Sequence, residues 1–457
     1  MKRGRYFGYG AGDGANNLTF SMVSAFLLIY LTNVAGIAAA AAGTLFLVVR
    51  VWGGFTDLFA GRVIDRTETR WGKFRPYVLF GSVPLLALLV ALFSIPGSLS
   101  LGAKLAWAYV AYALFQLAYS LVNIPYGSLA AAMTQVPDER ARFSTSRIVA
   151  ASLIILLIAV VISPQIRHGG NLQRSLTITT VAFGILGFAL YLWCFATSRE
   201  TVQRDVEKVT LRETLGMIRH NRPLVLLCAS SLLFLTGWFS LQTVAVYYAR
   251  NVLGNANLYI VLTVVSTVGM LIASAAFPEA EQKIGKKNTY LVAGVITVAA
   301  SIGFAVAPGS VPAIAIVCYG ILGIGLGAVN VLIFALQADT VDYGEWTSGI
   351  RAEGGSYSVL SFTRKTGQGI GGAAAAYIIA AGGYHATAAA QSHSALASIR
   401  IAAGIVPAAL SLGATVIMLT YPLTENAFRA VVAELAERRA AAEHGPITGE
   451  PPAEGAA

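Results

Sequence analysis

Residues 38–96 read AAAAAGTLFLVVRVWGGFTDLFAGRVIDRTETRWGKFRPYVLFGSVPLLALLVALFSIP. Two apolar runs, 38–64 and 77–96, flank a short connector that carries most of the charge. A bilayer core takes about 20 consecutive apolar residues as helix. Each run is therefore long enough to cross, and the connector reads as a turn at the membrane surface. Working outward, the same pattern recurs at 14–35, 104–132, 146–165, 176–197, 224–249, 256–277, 289–307, 311–340, 356–382 and 398–421. That makes twelve spans. Runs 38–64, 104–132 and 311–340 exceed one bilayer core, so those helices are expected to tilt, kink or protrude.

Composition agrees. Of 457 residues, 56% are hydrophobic and 12% charged, against about 25% charged in soluble proteins. Mean hydropathy is +0.67. This excludes a soluble enzyme, a disordered chain and a nucleic-acid binder. The net charge of +10 resides mainly in the connectors. With the N terminus inside, 22 of the 32 Lys and Arg residues fall in inner segments, five in outer loops and five within spans. Positive charge stays on the cytoplasmic side, so both termini are expected there. The expected partners are a lipid bilayer and a small-molecule substrate; nothing points to nucleic acid or an obligate protein partner. Asp13, Asn16 and Asn17 interrupt the first run and speak against a cleaved signal peptide. Cys194, Cys228 and Cys318 lie in apolar runs with no metal-ligand spacing.

The inner segment 198–222 divides the chain into halves, 1–197 and 223–423, followed by a tail, 424–457. Leu211, Leu215 and Ile218 have helical spacing, which predicts a surface helix over Thr210–His220. A charged helix is expected over Glu425–Glu443, with the Pro-, Gly- and Ala-rich end disordered. The halves resemble each other. Gly72-Lys73, Tyr77 and Gly81 match Gly285-Lys286, Tyr290 and Gly294; Tyr126-Gly127 and Arg147 match Tyr343-Gly344 and Arg364. Parallel duplication with substrate held between the halves is a transporter arrangement.

Charged groups inside spans cost several kcal/mol and mark functional sites. Asp57 lies eight residues before Asp65, about 12 Å above the inner boundary, and reads as the only carboxylate so deep. Asp13, Asp339, Asp342 and Glu345 read as lying near inner ends. Arg50 lies two turns before Asp57 on the same face. Asp57 is therefore either held permanently by Arg50 or free to gain and lose a proton. Asn16, Asn17 and Asn123, with Tyr119 and Ser120, either bind helices together or recognise sugar hydroxyls. Arg147, Arg364 and Lys365 form an excess of positive charge inside the bundle; either Arg364 and Lys365 pair with Asp339 or Asp342, or the excess suits an anionic substrate. Enzymatic motifs are absent: Gly8, Gly10, Gly12 and Gly14 follow no strand, which points to close helix packing, and Gly285-Lys286 lacks the spacing of a nucleotide-binding loop.

Gly61-Arg62-Val63-Ile64-Asp65-Arg66, followed by Arg70, resembles the loop 2–3 signature of the major facilitator superfamily. Arg70-Trp71-Gly72-Lys73-Phe74-Arg75-Pro76, Asn123-Ile124-Pro125-Tyr126-Gly127-Ser128-Leu129 and Asp339-Thr340-Val341-Asp342-Tyr343-Gly344-Glu345 resemble the glycoside–pentoside–hexuronide:cation symporters, the melibiose permease family. Gly12-Asp13, Asn16-Asn17 and Phe362-Thr363-Arg364-Lys365 are similar to its glucuronide-carrier branch. The resemblance implies an all-α, twelve-helix membrane fold of two parallel six-helix halves in the bacterial inner membrane. It implies a symporter, not an enzyme, importing glucuronides or related glycosides by alternating access and using no cofactor. Neutral glycosides or pentosides are the alternative cargo, and lysolipids a more distant one. Substrate-binding positions carried over are Asn17, Tyr119, Ser120, Asn123, Arg147 and Lys365. Cation coupling falls to Asp57, with Thr56 and Arg50 beside it. Asp65, Arg66, Arg70, Asp339 and Asp342 stand at the cytoplasmic gate. Gly53 replaces a second cation-site Asp and Thr56 a neighbouring Asn, so protons are expected as the coupling ion in preference to sodium. Gly127 replaces a sugar-stacking Trp.

Overall fold

The computed structural model describes residues 4–67, 69–134, 137–167, 171–200, 221–349, 353–386, 388 and 390–443. The segment predicted as a surface helix, Thr210–His220, and the end of the tail lie outside these residues.

Among the described residues, twelve long helices follow one another: α1 Gly4–Asn33, α2 Ala39–Asp65, α3 Arg75–Leu92, α4 Leu101–Met133, α5 Pro137–Arg167, α6 Leu172–Thr197, α7 Arg222–Val252, α8 (258–284), α9 (286–306), α10 Pro312–Ser348, α11 Glu353–Ala381 and α12 His393–Leu419. Each matches a predicted run. A shorter helix, α13, spans Glu425–Glu443, as predicted for the tail. Among the described residues there is no strand. Eleven of the twelve are long and apolar enough to cross a membrane. The exception, α11, is 29 residues long but carries Arg364, Lys365 and Gln368.

The connector between α2 and α3 turns at Gly72, φ +105°, and that between α8 and α9 at Gly285, φ +78°. Side chains rarely adopt such a backbone, so the repeated glycine marks the same turn in each half. The sequence reading missed the anchor of the first turn. Glu200, just past α6, accepts hydrogen bonds from the backbone N–H groups of Lys73, Phe74 and Arg75 at 2.8, 2.8 and 2.9 Å. It thereby satisfies the open donors at the start of α3.

Burial ranks the helices. The most apolar stretch of α1 is 83% buried inside the protein and that of α7 61%, against 22% for α8. The first two are central; α8 presents most of its surface to lipid. α1 packs on α5 and α6, and α2 and α3 pack on α4; α7 packs on α11 and α12, and both α8 and α9 pack on α10. Between the halves, α2 crosses α11, α1 meets α7 and α5 meets the α8–α9 segment. Val51, Phe55 and Phe59 on α2, with Ile185 on α6 and Val295 on α9, are exposed, as expected for an apolar belt facing lipid rather than water.

The face opposite the chain ends is closed. There Thr32 and Tyr247 share a hydrogen bond of 2.7 Å, and Asn33 donates to Tyr384 at 3.1 Å. Phe26 and Tyr259 meet edge to face at 5.5 Å.

Candidate functional site

The centre of the bundle is built from α1, α2, α4 and α5 of one half and α7, α10 and α11 of the other. Asp57, deep in α2, is the hub. It forms an ion pair with Lys365 of α11, across the interface between the halves. Ser120 of α4 donates to its other oxygen at 2.7 Å. Ser120 Oγ also lies 3.1 Å from Thr56 Oγ. Both partners of the ion pair keep about a quarter of their side-chain surface open, 23% for Asp57 and 25% for Lys365. A ligand or proton can therefore reach them.

Arg50 is not the partner of Asp57. Its guanidinium donates to Gln368 Oε1 of α11 at 3.3 Å and lies over Phe20 at 5.7 Å. Two helical turns give the same face but also a rise of about 10 Å, too far to pair along one helix. Lys365 reaches Asp57 from the facing helix instead.

Arg147 has its own carboxylate. Its Nε and Nη2 each lie 2.9 Å from Asp13 Oδ1, and Asn17 donates to Asp13 Oδ2 at 3.0 Å. Asp13 is buried and is thus a second deep carboxylate. Sequence reading placed it near an inner end because the first apolar run begins at 14; the helix begins at Gly4. The early glycines pack closely, as expected: a Cβ on Gly12 would fall 2.5 Å from the Tyr126 ring. The spacing Asp13–Asn17, one turn apart, was the signal available.

The excess of positive charge expected at Arg147 and Lys365 is therefore matched. Asp339 does not supply the match. It accepts from Lys286 of α9, at 2.8 and 2.9 Å. Of the other gate residues, Arg66 and Arg70 are exposed, and Arg70 stacks on Trp71 at 4.5 Å within its own turn. Asp65 and Asp342 lie at the ends of α2 and α10 nearest the chain termini. The described contacts of Arg70 and Asp339 do not cross between the halves.

Asn16 turns away from the centre: its Oδ1 accepts from Tyr191 of α6 at 2.8 Å, so it binds α1 to α6. Asn17, Tyr119 and Asn123 are partly open. Tyr119 stands within electrostatic reach of Asp13, Arg50, Arg147 and Asp57. It belongs to an aromatic cluster that the sequence reading missed. Phe20 lies 6.1 Å from Tyr119 and 6.0 Å from Phe239 of α7. Gln116 was missed as well. A Cβ on Gly53 would meet the Gln116 amide at 3.2 Å, so that amide fills the place where the resemblance puts a second carboxylate.

A polar, charged centre between two membrane-embedded halves is what a small-molecule transporter requires. Residues 8–425 match the family model described as MFS/sugar transport protein. The chain belongs to that family. It is 43% identical over 436 residues to the glucuronide carrier protein homolog of Escherichia coli strain K12, covering 94% of this chain and 95% of the relative. It is 34% identical to the isoprimeverose transporter of Lactiplantibacillus pentosus, covering 95% and 91%. A crystal structure of a mutant of the nucleoside transporter NupG superposes with a TM-score of 0.69 at 11% identity, covering 92% of this chain and all of the other. The twelve-helix major facilitator fold, the multi-pass membrane location and a transport role in place of catalysis follow. The resemblance to the glycoside–pentoside–hexuronide:cation symporters holds across the chain. The Asp57–Lys365 pair links the two halves at the centre of this transporter fold.

Proposed function

We propose that this transporter imports glucuronides or related glycosides together with protons, by alternating access. The observation that carries the reading is the Asp57–Lys365 ion pair, which ties α2 to α11 at the centre. Protonating Asp57 removes the negative charge that holds Lys365. The ammonium is then free for a sugar oxygen, and α2 and α11 lose one of their links. Proton binding and sugar binding thus favour the same rearrangement. Asn17, Tyr119 and Asn123 offer donors and acceptors to hydroxyls, and Phe20, Tyr119 and Phe239 offer an apolar platform for a sugar ring. Gln116 standing against Gly53 favours a proton over sodium, which takes several oxygen ligands. The face that holds the chain ends is cytoplasmic in this reading, and the closed face is the outer one. The halves 1–197 and 223–423 rock about the α2–α11 and α1–α7 contacts.

A neutral glycoside is the second reading. It is favoured by the carboxylate partners that Arg147 and Lys365 already have, and by the isoprimeverose relative.

Uptake of labelled glucuronide into proteoliposomes under an imposed pH gradient tests the proposal. Wild type should accumulate the sugar, with little response to sodium at fixed pH. Asp57→Asn should lose accumulation and keep exchange of bound sugar. Full accumulation by the variant, or strict sodium dependence of the wild type, overturns proton coupling through Asp57.

A further inference from the structure

Once Arg147 is assigned to Asp13, Lys365 to Asp57 and Lys286 to Asp339, two central guanidinium groups have no carboxylate among the described residues: Arg364 and Arg50. Arg364 is turned to α10. Its two terminal nitrogens lie 3.4 and 3.3 Å from Asn330 Oδ1, and it stacks on Phe334 at 4.9 Å. Arg50 differs, because it lines a cavity. The cavity is walled by Ser24 of α1, Phe46 of α2, Tyr112 of α4, Thr243 of α7 and Gln368 of α11, so both halves contribute. It lies beyond Asp57 toward the closed face, two turns further along α2. It leaves about 20 Å³ for the centre of a water-sized sphere, enough for one or two waters and far too little for a sugar ring. Ser24 is among its lining residues, and the Ser24 hydroxyl is itself buried without a hydrogen-bond partner. The one polar bond described for the Arg50 guanidinium is the 3.3 Å contact to Gln368.

A cation in the bilayer without a counter-charge is costly. A carboxylate seated in the cavity would supply one. It has two acceptor oxygens and about the volume available, and a guanidinium binds it through two parallel hydrogen bonds. We infer that the Arg50–Ser24 cavity is the subsite for the carboxylate of the substrate. The sugar ring would lie beside it on Phe20, which touches both the Arg50 guanidinium and the Tyr119–Phe239 cluster. The inference rests on the glucuronide reading above and deepens it. It moves recognition of the acid group from Arg147 and Lys365 to Arg50, and leaves Lys365 to coupling.

The test is binding of a glucuronide and of the matching neutral glucoside to purified protein, by calorimetry, in wild type and variants. Wild type should prefer the glucuronide. Arg50→Gln should weaken it by about 10- to 100-fold, the loss expected for charge-assisted hydrogen bonds. Glucoside affinity should stay within about 2-fold, since neutral groups elsewhere carry it. Ser24→Val, which fills the cavity without changing charge, should also weaken the glucuronide selectively. Arg364→Gln should leave the preference intact. If Arg50→Gln does not fold, Arg50→Lys, which keeps the charge but not the two-pronged geometry, and Ser24→Val carry the test. An unchanged glucuronide preference in the Arg50 and Ser24 variants overturns the subsite while the transport reading stands. A wild type that binds glucoside as tightly as glucuronide overturns the glucuronide reading and the subsite together.

Discussion

Replacing Asp13 by Asn keeps the shape of the side chain and removes its charge. Asp13 Oδ1 accepts from Arg147 Nε and Nη2, both at 2.9 Å, and Oδ2 accepts from Asn17 at 3.0 Å. Hydrogen bonds to charged groups contribute about 1.5–3 kcal/mol each. The Arg147 side chain is 40% exposed to the central space while Asp13 is only 10% exposed, so Arg147 recovers solvation when its partner is lost. The net cost should therefore sit near the lower end for two such bonds, about 3 kcal/mol. One kcal/mol moves the midpoint of a 150–250-residue domain by about 2–4 °C. For a chain of 457 residues the shift per kcal/mol is about half that, so the fall should be roughly 3–6 °C. Thermal melts of Asp13→Asn, Arg147→Gln and the double variant in one detergent form a cycle. If the pair acts as a unit, the double variant melts no lower than the worse single. If the two decrements add, the residues do not depend on each other, and the assignment of Asp13 as the counter-charge of Arg147 fails.

Lys286→Ala leaves Asp339, whose side chain is 8% exposed, without its ion partner and should cost about 3–5 kcal/mol. Lys283→Ala, whose pair with Glu279 is exposed on both sides at 3.9 Å, should stay within about 0.5 kcal/mol; parallel melts separate the two. Tyr247→Phe removes the bond to Thr32 at the closed face and should raise thiol labelling of a cysteine placed at Asn33, whereas unchanged labelling would mean that other contacts hold that face shut. The tail helix docks through Glu434, which accepts from the Trp346 indole at 2.8 Å and from Arg438 at 2.6 Å. These bonds, the indole first, hold its carboxyl below the usual 4.5. A carboxyl depressed on docking favours the docked state above its ordinary value and ceases to do so as pH falls through the depressed one. Trp346 emission should therefore change only below pH 4.5, and the change should vanish in Glu434→Gln.

Hydropathy over each run is a local property, so the twelve spans, the short connectors and the tail helix were legible residue by residue. The bilayer imposes one length on every crossing helix, which is why run length alone counted them. The glycine repeat at 72 and 285 was legible for a similar reason, since a turn needing positive φ accepts few other residues. Which polar residues lie deep was mostly legible too, because charge inside an apolar run is rare. Asp13 escaped because a stretch with several glycines and two tyrosines lengthens its helix ahead of the apolar run. Ion partners are a different kind of fact. Asp57 could have met Arg50 on its own helix or any cation on another. Lys365 lies 308 residues away, and the crossing of α2 with α11 makes it the neighbour. The same crossing, with α1 meeting α7, assembles the aromatic cluster and forms the Arg50 cavity between the two halves. Side chains from five helices share that cavity, and no spacing along one helix encodes distances between helices. The residue types were present in the chain; only tertiary packing decided which charges cancel and which remain for a ligand.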